Sequence, residues 1–441
     1  MESQSSIPTG KVARASKFFK AGVKMGGNYA AHYAKKVVGR ADREDLDRKN
    51  ADEIFNVLSQ LKGTALKIAQ MLSVDTGVLP KAYAEKFASA QNNAMKLSGP
   101  LVMNTFRKYT GKTPQEIYDQ FDTEAVAAAS IGQVHLAYKD GKKLAVKIQY
   151  PGVADSIHSD INMVKPLFLR FMGVSEESVE QYVDEIVDRL IEETDYVKEL
   201  ANGVEALEVS LNHPRIVVPK YYPELSNHRI LTMDWLEGQS LNEFIKNETN
   251  QEKRDLIAQA LVDFFQDQVH SKRRFHADLH PGNFLITDDL KLGVIDFGCS
   301  KSIDEDFYNH YFSLIKDDVL NDPIQRKKVF LNLDFLRETD TAEEVQLFTD
   351  VTMKIIELVS RPLRSESFNF GDEQYNDDLQ KLGLEINSNE DLKTSNAMRG
   401  SQHSLFLHRA FIGLFGILYN LKSTVKFDNT FGRKIQLESI M

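Results

Sequence analysis

Residues 276–298 read HADLHPGNFLITDDLKLGVIDFG. The stretch opens with a polar loop, His276 to Asn283, in which Pro281 and Gly282 stiffen and turn the chain. An apolar run, a turn at Asp288-Asp289 and a second apolar run to Ile295 predict a β-hairpin, closed by Asp296-Phe297-Gly298. That arrangement brings Asp278, Asn283 and Asp296 to one edge of a small sheet. Side-chain oxygens of this kind hold Mg²⁺ together with phosphate oxygens.

The spacing narrows the reading. Asn283 lies five residues after Asp278, and Asp-Phe-Gly follows the hairpin. The order and separation match the protein-kinase pattern H-R-D-L-x-x-x-N followed by D-F-G. A lone Asp-Phe-Gly would be an ordinary hairpin end; two motifs in order weigh against that.

The chain has 441 residues, enough for several domains or one two-lobed enzyme. Hydrophobic content of 42% and charged content of 27% suit a globular protein. A net charge of −10 argues against a nucleic-acid binder with a uniformly basic surface. The single cysteine, Cys299, permits no internal disulfide and reads as a packing residue in a reducing compartment. Residues 1–40 are basic and amphipathic, which fits an anionic membrane surface and a solvated helix face equally. No signal peptide is visible, and 404–425 reads as a buried helix rather than a span.

Upstream, 50–73 predicts a helix on which Lys67 and Gln70 share a polar face. Further helices are predicted over 80–93, from Pro100 to Tyr109, and over Pro114 to Phe121. Asp140-Gly141 between two alternating runs signals a hairpin, and its second strand carries Lys147 in Ala-Val-Lys-Ile. A lysine on a half-buried strand needs a partner, and ATP phosphates and a glutamate are the natural ones. Ala127, Ala128, Ala129 and Ser130 stand where a glycine-rich phosphate loop would be, so backbone approach is retained and positive φ is lost. Residues 178–203 predict one long acidic helix with Glu192, Asp195 and Glu199 on one face, Glu199 being placed to pair Lys147. Strands are predicted over 215–222 and 229–236. The connection after the second is where a hinge would present the backbone of Asp234 to Leu236 to adenine. Residues 372–391 read as an exposed acidic loop.

Ala127–His135, Ala145–Gly152, Glu193-Thr194-Asp195-Tyr196, the Asp278 loop and Asp296-Phe297-Gly298 together resemble the UbiB, or ADCK, family of atypical kinase-like ATPases. The likeness is greatest to its ubiquinone-biosynthesis branch and covers roughly residues 50 to 430. The resemblance implies an α+β, two-lobed protein-kinase-like fold with a helical N-terminal extension capping the active site. It turns Lys67-Ile68-Ala69-Gln70 into the family's K-x-G-Q motif, with Ala69 in place of the glycine. Lys67 and Gln70 would then enter the pocket, and Glu193 and Asp195, as the E-x-D motif, would face the same lid.

The expected organisation is a basic segment 1–49, a helical extension 50–121, an N-lobe 122–236 and a helical C-lobe 237–441. Lys147, held by Glu199, is expected to orient the phosphates of ATP. Asn283 and Asp296 would hold Mg²⁺, and Asp278 would serve as base or water-positioner. Ala277 replaces the Arg of His-Arg-Asp, and no Ala-Pro-Glu follows, so protein substrates are not favoured. The resemblance implies a lipid or quinone precursor as acceptor, with biosynthetic-complex proteins as candidate partners. The expected setting is a bacterial cytoplasm, peripheral to the inner membrane. The competing reading is a nucleotide-gated lipid-binding or scaffold protein with little turnover.

Overall fold

The computed structural model describes residues 48–50, 52–53, 96–129, 131–172, 176–389, 392 and 399–429. The basic segment 1–40, nearly all of the helix expected over 50–73, the helix over 80–93, and Lys67, Gln70 and Ser130 lie outside them. The chain divides into two compact units. One comprises the described residues up to Leu200 with Tyr221–Trp235; the other comprises Ala201–Lys220 and the described residues from Leu236 onward.

The first unit begins with α1 (Gly99–Thr110), β1 (Gln120–Phe121), β2 (Ala127–Ala128), β3 (Gly132–Lys139) and β4 (Lys142–Gln149). Next come α2 (Val153–Met172), α3 (Glu176–Glu193) and the start of α4 (Tyr196–Ser210), whose residues from Ala201 onward belong to the second unit. After β5 (Ile216–Val217) of the second unit, β6 (Ile230–Asp234) completes an antiparallel sheet in the order β1-β3-β4-β6, with β2 also on β3. Asp140 and Gly141 turn the β3–β4 hairpin with φ of 51° and 75°, the pair of positive values that Asp-Gly supplies at least cost. The register sets Lys147 opposite Val134 on one side and Leu231 on the other. It therefore sits mid-strand, between the fully buried Val146 and Ile148.

Two expectations fail in this unit. The helix expected over 178–203 is two helices, because the chain turns at Thr194 and Asp195. The Thr194 carbonyl accepts from the Gln149 side chain at 3.0 Å and from Arg229, while the Asp195 side chain accepts from the Val197 N–H at 3.1 Å. A carbonyl committed to Gln149 of β4 and to Arg229, just before β6, does not continue a helix, and an Asp that caps the next one restarts it. Glu192, Asp195 and Glu199 thus share no continuous helical face. The helix expected over Pro114–Phe121 is a 3₁₀ turn, Pro114–Glu116, closed by a Thr113–Glu116 capping box and followed by β1.

The second unit is built on β7 (Gln239–Ser240), α5 (Leu241–Asn247), α6 (Gln251–Ser271), β8 (Arg274–His276), β9 (Phe284–Ile286), β10 (Leu292–Val294) and β11 (Ser300–Ser302). Its larger sheet runs β5-β10-β9-β7, and β8 pairs β11 separately. Only Ile216–Val217 of the strand expected over 215–222 joins a ladder, parallel to β10. Helices follow, ending in Gln402–Asn420, whose Phe411 ring meets Phe265 of α6 at 5.5 Å. Residues 373–388 form a helix instead of an acidic loop. Asp372 caps it at the Gln374 N–H, and Tyr375 is buried, so its acids occupy the solvated face of an amphipathic helix.

Candidate active site

In the first unit the side chain of Lys147 is 7% exposed and that of Glu199 2% exposed. The Lys147 ammonium donates to both carboxylate oxygens of Glu199, at 2.8 and 2.9 Å. Burial of either charge alone would be costly; a two-oxygen bond offsets the desolvation of both. The Tyr196 ring, at the start of α4, lies 5.1 Å from the ammonium. Gly132 makes this packing possible. A Cβ there would sit 2.5 Å from the Ile148 carbonyl oxygen and 2.7 Å from the Tyr196 hydroxyl.

The alanine loop precedes this strand. Ala127 pairs Val134, Ala128 pairs Gln133, and the Ala129 N–H donates to the Gly132 carbonyl at 2.9 Å. Only Ser130 and Ile131 intervene. Ile131 is buried, and its carbonyl accepts from the Tyr150 N–H at 2.9 Å. This turn is short and anchored in the core, unlike an open glycine flap. Asp195 accepts from His228 at 2.8 Å besides capping α4, and Glu193 is buried at the end of α3.

At the end of β6, the Asp234 carboxylate accepts from the Tyr222 hydroxyl at 2.7 Å. Burial, then that bond to an anion, pushes the Tyr222 phenol up to about 12. The Trp235 N–H is used within the sheet, on the Lys143 carbonyl at 3.0 Å, and the Lys143 ammonium lies 4.8 Å from the indole. Leu236 opens the second unit, where its side chain packs on Gly293 of β10.

In the second unit the β9–β10 hairpin holds Asn283 and Asp296 at one end. Phe284 pairs Val294, and the Ile295 N–H donates to the Asn283 carbonyl at 3.1 Å. The Asn283 amide donates to the Asp278 carbonyl at 2.9 Å, and the Asp278 N–H donates to His276 Nδ1 at 3.2 Å. Asp296 Oδ1 accepts from the Gly298 N–H at 2.9 Å. His276 is buried against the Phe297 ring at 5.8 Å, and the Ala277 N–H closes on the Cys299 carbonyl at 2.8 Å. The Asn283 amide oxygen and the Asp296 carboxylate form a hard-oxygen donor set. Such a set fits Mg²⁺, which takes one or two protein oxygens and completes its shell with phosphate and water.

A model of the ABC1 atypical kinase-like domain matches residues 89–330, more than half of the chain. The chain belongs to this family, the UbiB/ADCK atypical kinases. The Saccharomyces cerevisiae protein "Atypical kinase COQ8, mitochondrial" is 29% identical over 437 residues, 96% of this chain and 84% of that protein. The Dictyostelium discoideum "Probable serine/threonine-protein kinase abkA" is 27% identical over 445 residues, 95% of this chain and 78% of that protein. Among solved structures, Rv3197 of Mycobacterium tuberculosis, in complex with erythromycin, aligns with a TM-score of 0.60 at 26% identity. That alignment covers 89% of this chain and 97% of Rv3197. Among the described residues, no helix is long and apolar enough to cross a membrane.

Four contacts have no counterpart in the motif reading. Asn202 donates to the Phe297 carbonyl at 3.0 Å and accepts from Arg274 at 2.6 Å, which also pairs Glu205 at 2.9 Å. Arg409 donates to Asp278 Oδ1 at 3.1 Å. One signal was available for the last: an arginine inside an otherwise apolar buried helix needs an acceptor.

Proposed function

We propose that the chain binds Mg·ATP and transfers or hydrolyses its γ-phosphoryl group, in support of isoprenoid quinone biosynthesis at a membrane surface. The observation that carries this reading is the end of the β9–β10 hairpin, where Asp278, Asn283 and Asp296 are fixed by bonds from their own loop. Asn283 and Asp296 would hold Mg²⁺, which neutralises charge on the phosphates. Lys147, held by Glu199, would orient the α- and β-phosphates. The Asp234 and Leu236 backbones would meet adenine, since the Trp235 N–H is spent on Lys143. Asp278 would orient the acceptor oxygen, and Lys67 and Gln70 would close the site. Catalysis of this kind is positioning plus charge neutralisation.

The quinone setting draws on the relatives named COQ8. A membrane surface draws on the basic residues among the first 40, and a lipid or quinone precursor is the acceptor class that suits both. The test is Mg·ATP turnover by the purified full chain, with and without anionic liposomes, beside Asp296→Asn. Turnover that rises on liposomes and falls at least ~10³-fold in the variant, at unchanged Tm, is the expected result. Tight nucleotide binding without turnover under every lipid condition would replace this reading with the nucleotide-gated scaffold.

A further inference from the structure

We propose that Arg409 is a positioning residue for phosphoryl transfer. Its guanidinium sets the orientation of the Asp278 carboxylate and offsets its charge beside an incoming phosphoryl group. The inference rests on the Mg·ATP reading above.

The loop fixes the Asp278 backbone by itself, through the His276 ring below it and the Asn283 amide on its carbonyl. The side chain is held from elsewhere. Arg409, 131 residues away on the helix Gln402–Asn420, reaches Oδ1 at 3.1 Å, and the two side chains are only 16% and 18% exposed. The helix is seated for that reach. One turn beyond Arg409, a Cβ on Gly413 would lie 2.4 Å from the Leu279 carbonyl oxygen, so the helix backbone rests directly on the loop. The loop supplies no cation at this point: Ala277, fully buried, stands between His276 and Asp278. Arg409 is flanked by the buried Leu407, Ala410 and Phe411, where an apolar side chain would pack at lower desolvation cost. A guanidinium is suited to the task because its planar fork fixes a carboxylate in orientation as well as in charge.

The experiment measures kcat, KM for Mg·ATP, affinity for a fluorescent ATP analogue, and Tm, on full-length Arg409→Met, Arg409→Lys, Asp278→Asn and the Asp278→Asn/Arg409→Met double variant. Arg409→Met is expected to lower kcat ~10- to 100-fold, since small misplacement of a reacting group costs on that order. Analogue affinity should stay at the wild-type value while Tm falls, because Asp278 loses its partner, and Arg409→Lys should lie between in kcat. In the Asp278→Asn background the Arg409→Met change should cost nothing more, because the residue acts through Asp278. Wild-type kcat in Arg409→Met, or the same fold-loss in both backgrounds, overturns the inference. If Arg409→Met does not fold, Arg409→Lys decides: a several-fold lower kcat at unchanged analogue affinity supports the inference, and wild-type kcat overturns it. A wild-type chain that binds nucleotide and never turns it over removes the Mg·ATP reading and this inference with it. An active wild type with unaffected Arg409 variants removes only this inference.

Discussion

In the second unit, Asp278, Asn283 and Asp296 are held largely by bonds that begin and end within 276–298: Asn283 on Asp278, Asp278 on His276, Ile295 on Asn283. In the first unit, Lys147 is held by Glu199, 52 residues on, across a strand, two helices and a broken helical junction. The first arrangement is written into residue spacing. The second exists only once β4, α3 and α4 have packed. A local motif should therefore lose chemistry when altered and keep its fold, whereas the long-range pair should lose fold as well.

The largest expected effect lies in that pair. Glu199→Gln leaves a buried ammonium with half its compensation and should destabilise the chain by about 3–5 kcal/mol. The double variant Lys147→Met/Glu199→Leu should recover a large part of that loss, since burying two apolar groups costs less than burying one charge. Asp296→Asn, by contrast, should leave the unfolding midpoint within a few degrees. Thermal unfolding of the three variants checks this. A Glu199→Gln midpoint as mild as that of Asp296→Asn would break the comparison.

A glycine in each half sharpens it. Gly132→Ala drives a Cβ into the Ile148 carbonyl, a backbone atom that cannot swing away, and should cost about 3 kcal/mol. Gly282→Ala meets no backbone atom, only the His280 ring at 3.2 Å, and should cost under about 1 kcal/mol. Equal midpoints for the two alanine variants would show that the first unit tolerates repacking at Lys147.

The same contrast governs what was legible in the sequence. The hairpin around Asp-Phe-Gly, the Asp140-Gly141 turn and the strand bearing Lys147 could be read because turn chemistry and short spacing set them. The break at Thr194-Asp195 could not, because its cause is a carbonyl taken by Gln149 and Arg229, neither of them near in sequence. Charge runs misled in another way. The acids of 373–388 hid the amphipathic spacing that buries Tyr375. Arg409 was visible as a cation in an apolar helix, but its partner 131 residues away was not.

Acid tests the contrast through buried histidines, one of them in the first unit. His135 is fully buried; its Nδ1 donates to the Asp122 carbonyl at 2.8 Å, so Nε2 carries the lone pair and accepts from the Gln133 amide at 2.8 Å. Gln133 in turn accepts from the Leu97 N–H at 2.7 Å, which ties residue 97 to the sheet. Burial pushes His135 down from 6.5 to about 4, against the opposing pull of Asp122 and with the help of Lys96. The unfolded chain therefore takes up the proton first. The stability from the neutral ring is complete above pH ~6.5 and lost as pH falls toward 4. Between pH 7 and pH 5 this amounts to about 2 kcal/mol. Burial also lowers His270 to about 3 and His408 to about 4, so the second unit contributes a slope of the same sign. His135→Gln separates them: stability measured at both pH values should fall by about 2 kcal/mol less in the variant than in the wild type. An identical fall in both would mean that the acid sensitivity belongs to the second unit, and that the Leu97–Gln133–His135 chain can take up a proton without loss.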